Sequence, residues 1–481
     1  MRSKSLFVLM ALALIVSFPA ISSATNGMNL EGYGPISLGM GGAGLAFDNG
    51  TAAVMNNPAT LGLMDDGHRF DVALGFLGPN VTAEMTGFPK ADSSANAFFM
   101  PAFGWASKKN NLTYGIAMFA QGGMGTEYSD TSFLTAGSGE EVRSEVGVGR
   151  LMVPIAYNFS DKLTVGGSVD FVWAMMDLKM ALSGAQLGDM VAALGGTQSA
   201  GTASGTMIDG MVTMITNGWL NPFWARFDFS DDSAFFGEAK GYGVAGKLGL
   251  VYEVSPEFTV GVTYHSKTAL SDLETSGATV TINADMDDGI AAGGAPSGTF
   301  SNYTVPVTGT ISVKDFQWPA TYGIGVAYKA MESRLLLAAD IKYIAWEEVM
   351  KDFSMGFEAD TSQTNPQAMG FAGATMDASL FQEWDNQTVI AVGASYAVND
   401  AFTVRAGYNH SANPIPNTYL NALFPAIVES HATLGGGYNF GSSSLNAALS
   451  MAFESSATNS MMPVESTHSQ LSGQVMYSYK Y

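Results

Sequence analysis

The residues best able to do chemistry in this 481-residue sequence are a few acids and bases, five histidines and one glycine-rich run. Gly241-Tyr242-Gly243-Val244-Ala245-Gly246-Lys247 satisfies G-x-G-x-x-G and most of a phosphate-binding loop. Leu248 stands where such a loop needs Ser or Thr, and the run alternates as a strand does, so no nucleotide site is expected. Asn283, Asp285, Asp287 and Asp288 are spaced like calcium ligands but lack the glycine at the sixth loop position. His68, His265, His410, His431 and His468 show no H-x-x-x-H spacing, and G-x-S-x-G is absent. There is no Cys, which removes thiolate metal sites, thiol nucleophiles and disulfide scaffolds. The expectation is a protein with no catalytic residue, no metal and no cofactor.

What remains is apolar chemistry. In residues 183–238, Met211, Met214 and Ile215 recur at helical spacing with Met207, Ile208 and Val212, and Trp219, Leu220, Phe223 and Trp224 follow. A water-facing segment this apolar either folds on itself or binds something. Methionine side chains adapt to varied apolar shapes, so a hydrophobic small molecule is the expected partner. Gly122, Gly123 and Gly125 form a second feature: clustered glycine weakens a ladder and permits a bulge, or marks an ordinary strand end.

The elements that must position these residues follow from composition and pattern. Charged residues are 13% and hydrophobic residues 47%, yet no run after the first two dozen residues offers eighteen uninterrupted apolar positions, which rules out helical membrane spans. With 21 basic against 43 acidic residues, a nucleic-acid partner is excluded. Residues 1–24 read as a secretory signal peptide: Arg2 and Lys4, an apolar run from Leu6 to Val16, then Ser22-Ser23-Ala24.

The rest alternates with period two. Tyr242, Val244, Gly246, Leu248, Leu250, Tyr252 and Val254 take one parity against Gly243, Ala245, Lys247, Gly249, Val251 and Glu253. Some fourteen such strands recur, with tight links on one side (Ser107-Lys108-Lys109-Asn110, Ser255-Pro256-Glu257, Asn399-Asp400-Ala401) and long loops on the other, of which 183–238 and 271–307 are the largest. Aromatic residues gather near strand ends. This predicts an all-β fold: a transmembrane antiparallel β-barrel of about 14 strands over 68–481, in the outer membrane of a Gram-negative bacterium, contacting lipid and lipopolysaccharide as a monomer. Residues 25–67 are Gly-rich and apolar. A barrel this wide leaves interior space, so they are expected to plug the lumen as an N-terminal hatch.

Leu38-Gly39-Met40-Gly41-Gly42-Ala43-Gly44, with Asn57-Pro58-Ala59 after it, resembles the hatch of the FadL/TodX family of outer-membrane transporters. The likeness continues in order through Tyr114-Gly115-Ile116, Gly125-Thr126-Glu127-Tyr128, Gly241-Tyr242-Gly243, Tyr343-Ile344-Ala345-Trp346, Arg405-Ala406-Gly407-Tyr408 and Pro414-Ile415-Pro416. It implies passive, ligand-gated uptake of long-chain fatty acids, or else of aromatic or aliphatic hydrocarbons, with lateral exit through a kink at Gly122, Gly123 and Gly125. It also implies basic residues near the outer ends of the fifth and ninth strands, which here are Lys179 and Lys351; the first matching register position is Met180. Arg143, Arg150, Lys247 and Arg405 are read as lumen charges paired with carboxylates such as Asp170 or Glu253. A general porin or a barrel lipid hydrolase are the rival readings.

Overall fold

A computed structural model describes residues 26–233 and 237–481; the signal peptide expected over 1–24 lies outside the described residues. Among them the strands form one 22-stranded sheet that closes on itself. The wall runs, each strand antiparallel to its neighbours, through Gly67–Met85, Phe98–Lys109, Leu112–Tyr128, Val142–Asn158, Leu163–Ser183, Ala239–Glu253 and Phe258–His265. It continues through Thr321–Ala330, Leu335–Ile344, Gln387–Ala397, Phe402–Ser411, Ser430–Asn439, Ser443–Thr458 and Val464–Lys480. The last strand pairs with the first from Arg69↔Lys480 to Met85↔Val464, so no edge is left open to lipid.

The sheet holds more strands than alternation alone predicted, because the long loops are themselves β-structure. The loop expected over 271–307 is a hairpin, Leu273–Asp287 with Phe300–Lys314. The loop 183–238 contains helices Gly184–Met190 and Thr206–Thr216 but also strands Gly201–Ser204 and Leu220–Phe229. These join Asp352–Ala359 and Thr375–Phe381 into a curved extension rising from the outer end of Leu163–Ser183. The alternation itself reads correctly onto the wall. Tyr242, Val244, Leu248, Leu250, Tyr252 and Val254 all face outward and exposed, while Lys247 and Val251 are buried inside.

Residues 26–66 are almost entirely buried, and the first wall strand takes over at Gly67. Their partners surround them. Thr51 N donates to Asp71 Oδ2 (2.7 Å), Lys108 Nζ to Gly62 O (2.7 Å), and Asn158 Nδ2 to Gly62 O (3.2 Å). Asn57 Nδ2 reaches Leu250 O (3.2 Å), Lys342 Nζ reaches Gly42 O (2.8 Å), Asn409 Nδ2 reaches Gly41 O (2.9 Å), and Gln474 Nε2 reaches Gly32 O (3.0 Å). A segment bonded to so many sides of a closed ring lies within it.

The close approach explains particular sequence choices. Gly41 and Gly42 adopt φ of 70° and 84°, and a Cβ on Gly41 would press on the backbone of Tyr408 and Val392. Asn57 caps the short helix Pro58–Leu63, its Oδ1 accepting from Ala59 N at 3.1 Å. Gly166 and Gly249, paired across the wall, lack the side chains that would collide with Ala59 and Asn57.

Candidate functional site

Two regions have the geometry of a route for an apolar molecule. The outer one is a groove of about 620 Å³ among the long loops. Phe133 and Leu134, the helix Gly184–Met190, Leu380 and Phe381, the segment Thr418–Leu423, and Met461 and Met462 enclose it. Asp189 is its single charged residue, and that carboxylate is occupied: Thr197 Oγ1 (2.6 Å) and Ser199 Oγ (2.8 Å) donate to it with their backbone N–H groups. The two hydroxyls, then the amides, hold its pKa down at about 2.

The second region is a gap in the wall. Phe98–Lys109 and Leu112–Tyr128 pair only from Phe103↔Met118 to Lys109↔Leu112. Above that point Phe98–Ala102 pairs only with Ala73–Leu77, and Phe119–Tyr128 only with the strand on its other side. Pro101, with no N–H to give, sits in the unpaired stretch. Contact resumes higher up, where Ser94 N donates to Glu127 O (2.8 Å) and Glu127 N to Ser93 Oγ (3.0 Å).

On the far side of the same strand the register slips between Ala120 and Gly122, leaving Gln121 as the extra residue of a bulge. Gly122 then bridges to Asn29, and Gly123 N donates to Met28 O at 3.0 Å. Two small cavities line the inner side of the gap, one beside Phe98 and Gly123 to Thr126, the other beside Met100, Ala102, Phe119 and Ala120.

The segment Thr418–Ala426 separates groove from gap. Its residues 418–423 line the groove, and Pro425 and Ala426 line the cavity behind Phe98. Tyr128 OH donates to Ala422 O (2.9 Å), Thr126 Oγ1 donates to Leu423 O (3.0 Å), and Ser144 Oγ donates to the same carbonyl, which holds the segment down into the barrel mouth.

The residues singled out from the sequence fall in several places. Met211 and Ile215 line a separate hollow of about 340 Å³ between the two loop helices. Met211 is buried and Met214 packs against the same core. Leu220 and Trp224 are buried in a strand that helical spacing did not predict, Trp219 lies just before it, and Phe223 is exposed. Lys179 is tied to Glu141 (2.6 Å) and Asp232 (2.5 Å), while Lys351 is exposed on the loop before Asp352–Ala359 and makes no ion pair with the described residues. Asn57, Pro58 and Ala59 anchor the interior segment to Gly166 and Gly249.

Of the other bases, Arg150 and Lys247 both bind Asp170, and Arg143 lies among Glu127, Glu145 and Asp177, as pairing predicted. Arg405 instead donates to the Asn446 amide oxygen (3.1 Å), and Glu253 is not a partner. Asp287 accepts from the backbone of Gly289, Ile290, Ser297 and Gly298, which makes it the staple of its loop; no metal-binding cluster occurs among the described residues. The groove residues Phe133, Tyr419, Leu423, Met461 and Met462 were missed, although Met461-Met462 carries the signal that drew attention to 183–238: bulky apolar side chains in a long loop.

A closed barrel with an occupied interior, an apolar mouth and an interrupted wall defines the class of outer-membrane transport proteins. The chain belongs to the outer membrane protein transport protein (OMPP1/FadL/TodX) family, whose sequence model matches residues 16–478. It is similar to the Pseudomonas putida toluene transporter TodX, at 29% identity and a TM-score of 0.77, over 94% of this chain and 99% of that one. The Ralstonia pickettii toluene transporter TbuX gives 29% identity and a TM-score of 0.72 over 94% and 99%. A Pseudomonas aeruginosa FadL homologue, at 16% identity and a TM-score of 0.68 over 94% and 99%, shares the fold. An uncharacterized Chlorobium limicola protein, from the 5′ region of a phosphoenolpyruvate carboxykinase gene, is 49% identical over 86 residues, 17% of this chain. The match spans 41% of that curated relative's length.

Proposed function

We propose that the protein takes up uncharged hydrophobic compounds, aromatic hydrocarbons foremost, by passive diffusion across the outer membrane. Cargo enters the groove at the loops and passes the segment Thr418–Ala426. Residues 26–66 act as a hatch whose docking at the Gln121 bulge yields, and cargo leaves sideways through the gap above Met118.

The observation that carries this reading is the charge of the groove. A carboxylate brought into an apolar site needs a cationic partner, and the groove has none. Lys179 is already held by two carboxylates. An uncharged ring has no such need: burial contributes about 0.8 kcal/mol per CH₂, and methionine sulfur adds contacts to an aromatic edge. Met85, Met180, Met190, Met461 and Met462 supply that sulfur. The occupied interior argues against a general porin.

The test is toluene and oleate uptake by a deletion strain with and without the gene. Toluene uptake should depend on the gene and oleate uptake should not. Gene-dependent oleate uptake with gene-independent toluene uptake would overturn the assignment in favour of fatty acids.

A further inference from the structure

Between Ser411 and Ser430 the chain forms neither helix nor strand, although Leu420, Ala422, Leu423 and Ala426 are buried. Pro414, Pro416 and Pro425 have no N–H to give to a ladder. Across Thr418–Ala426 no backbone group bonds to the backbone of another element among the described residues. Side chains tether the segment instead. Asn459 Nδ2 donates to Leu420 O (2.8 Å), and His468 Nδ1 lies 3.0 Å from Pro425 O.

Three further tethers are hydroxyls from two neighbouring wall strands. Tyr128 holds the carbonyl of Ala422, and Thr126 and Ser144 together hold that of Leu423. All three are buried, and Thr126 faces Ser144 directly across the ladder, their Oγ atoms 3.3 Å apart. Such a bond is released by moving one carbonyl, whereas a ladder must be unzipped.

The placement of the hydroxyls ties the two ends of the route together. Thr126 and Tyr128 sit above the bulge on Leu112–Tyr128, the strand that edges the gap, where it pairs only with Val142–Asn158. Ala422 and Leu423, whose carbonyls they hold, line the outer groove. The floor of the groove is therefore fastened to the edge of the gap.

We infer that Thr126, Tyr128 and Ser144 are positioning residues, a clasp through which cargo in the groove frees the edge of the gap. Cargo seated against Tyr419 to Leu423 shifts those residues, the two carbonyls leave the three hydroxyls, and the edge strand loses its restraint above Gly122. The inference rests on the uptake reading and adds its regulation. Coupling of this kind is reciprocal: cargo that must open the clasp binds more weakly by the factor with which the clasp favours the closed state.

The experiment measures toluene binding to the full-length protein in detergent, corrected for micelle partition, with hydrogen exchange over 119–128 and 418–426 followed by mass spectrometry. In the wild type, toluene should speed exchange in both segments. Thr126→Val with Tyr128→Phe and Ser144→Ala keeps the side-chain shapes and removes the hydroxyls, leaving the two carbonyls unpaired in the closed state. This variant should bind toluene about tenfold more tightly, and both segments should exchange fast before toluene is added. Loss of a merely structural contact would not tighten binding. Thr126→Ser, which keeps its hydroxyl, should behave as wild type. If the triple variant fails to give a heat-modifiable barrel, Tyr128→Phe alone should tighten binding about threefold. Unchanged or weaker binding in the variants, or wild-type exchange over 119–128 that ignores toluene, overturns the clasp while gene-dependent toluene uptake in cells keeps the uptake reading. Wild-type protein that binds no toluene, with gene-independent uptake, would overturn that reading and the clasp with it.

Discussion

Gln121, the residue over which its strand slips register, donates its side-chain amide to Asn29 Oδ1 at 2.8 Å. The wall's irregularity and the start of the interior segment are thus one structure. Tyr33 OH adds a bond to Gln121 O at 2.6 Å. Movement of the interior segment must alter the bulge, and relaxation of the bulge must release the segment.

Gly122 is the tightest point of that junction. A Cβ there would overlap Met28 O and come within 3.0 Å of Trp318. Gly122→Val and Gly123→Val put branched side chains into that junction and the exit beside it, at about 1–3 kcal/mol of overpacking. Toluene uptake is expected to fall by at least about tenfold while heat-modifiable migration on a gel shows an intact barrel; normal uptake in both variants would remove the junction from the route.

The gap can be closed chemically, because the chain has no Cys of its own. Ala102 and Phe119 lie one step beyond the last paired residues, Phe103 and Met118. Ala102→Cys with Phe119→Cys should lose uptake on oxidation and regain it on reduction. Mass spectrometry would confirm the bond, and uptake by the bonded form would show that cargo leaves elsewhere.

The interior segment has its own latch. Asp340 Oδ2 accepts from Gly44 N (2.8 Å) and Leu45 N (3.2 Å). Asp340→Leu leaves both amides without that partner, at about 1–3 kcal/mol each. The expected result is a leakier barrel with higher single-channel conductance and greater sensitivity to small hydrophilic antibiotics. Conductance equal to wild type would show that the segment stays seated without this latch.

Groove selectivity should follow a single charge. Met461→Lys places an ammonium in the lining, and decanoate binding should strengthen about tenfold relative to toluene, as expected for a charge-assisted pair. Competition binding in detergent measures the ratio; an unchanged ratio would show that the groove does not select cargo.

Asp189 gives the groove a pH limit. Its pKa is about 2 in the folded loop against the ordinary carboxylate value of 3.8, so its ordering effect is fully present above about pH 4 and is lost as pH falls through 2. Groove affinity for toluene should be flat from pH 7 to about 4.5 and should weaken between 4 and 2. Asp189→Ala should show the weakened affinity at every pH without a change in barrel melting, since the carboxylate orders one loop. A decline already present near pH 6 would point to a different group.

The sequence by itself determined the wall. Alternation at Tyr242 to Val254 declares which face meets lipid, because side-chain period two leaves one assignment that keeps Lys247 out of hydrocarbon. The short links fixed where strands turn, and the glycine-rich, apolar run over 25–67 announced a packed segment with room inside a barrel this wide. Only the tertiary structure decided what the loops build. Leu220 to Phe229 has bulky residues at spacings that suit a helix or a strand, and pairing with Leu163–Ser183 and Leu273–Asp287 chose the strand. The groove draws on residues as far apart as Phe133 and Met462, and Lys179 lost its freedom to Glu141 and Asp232 from other segments. A local pattern records which face of a strand is apolar, but it carries no term for which distant charge or loop will fold over that face.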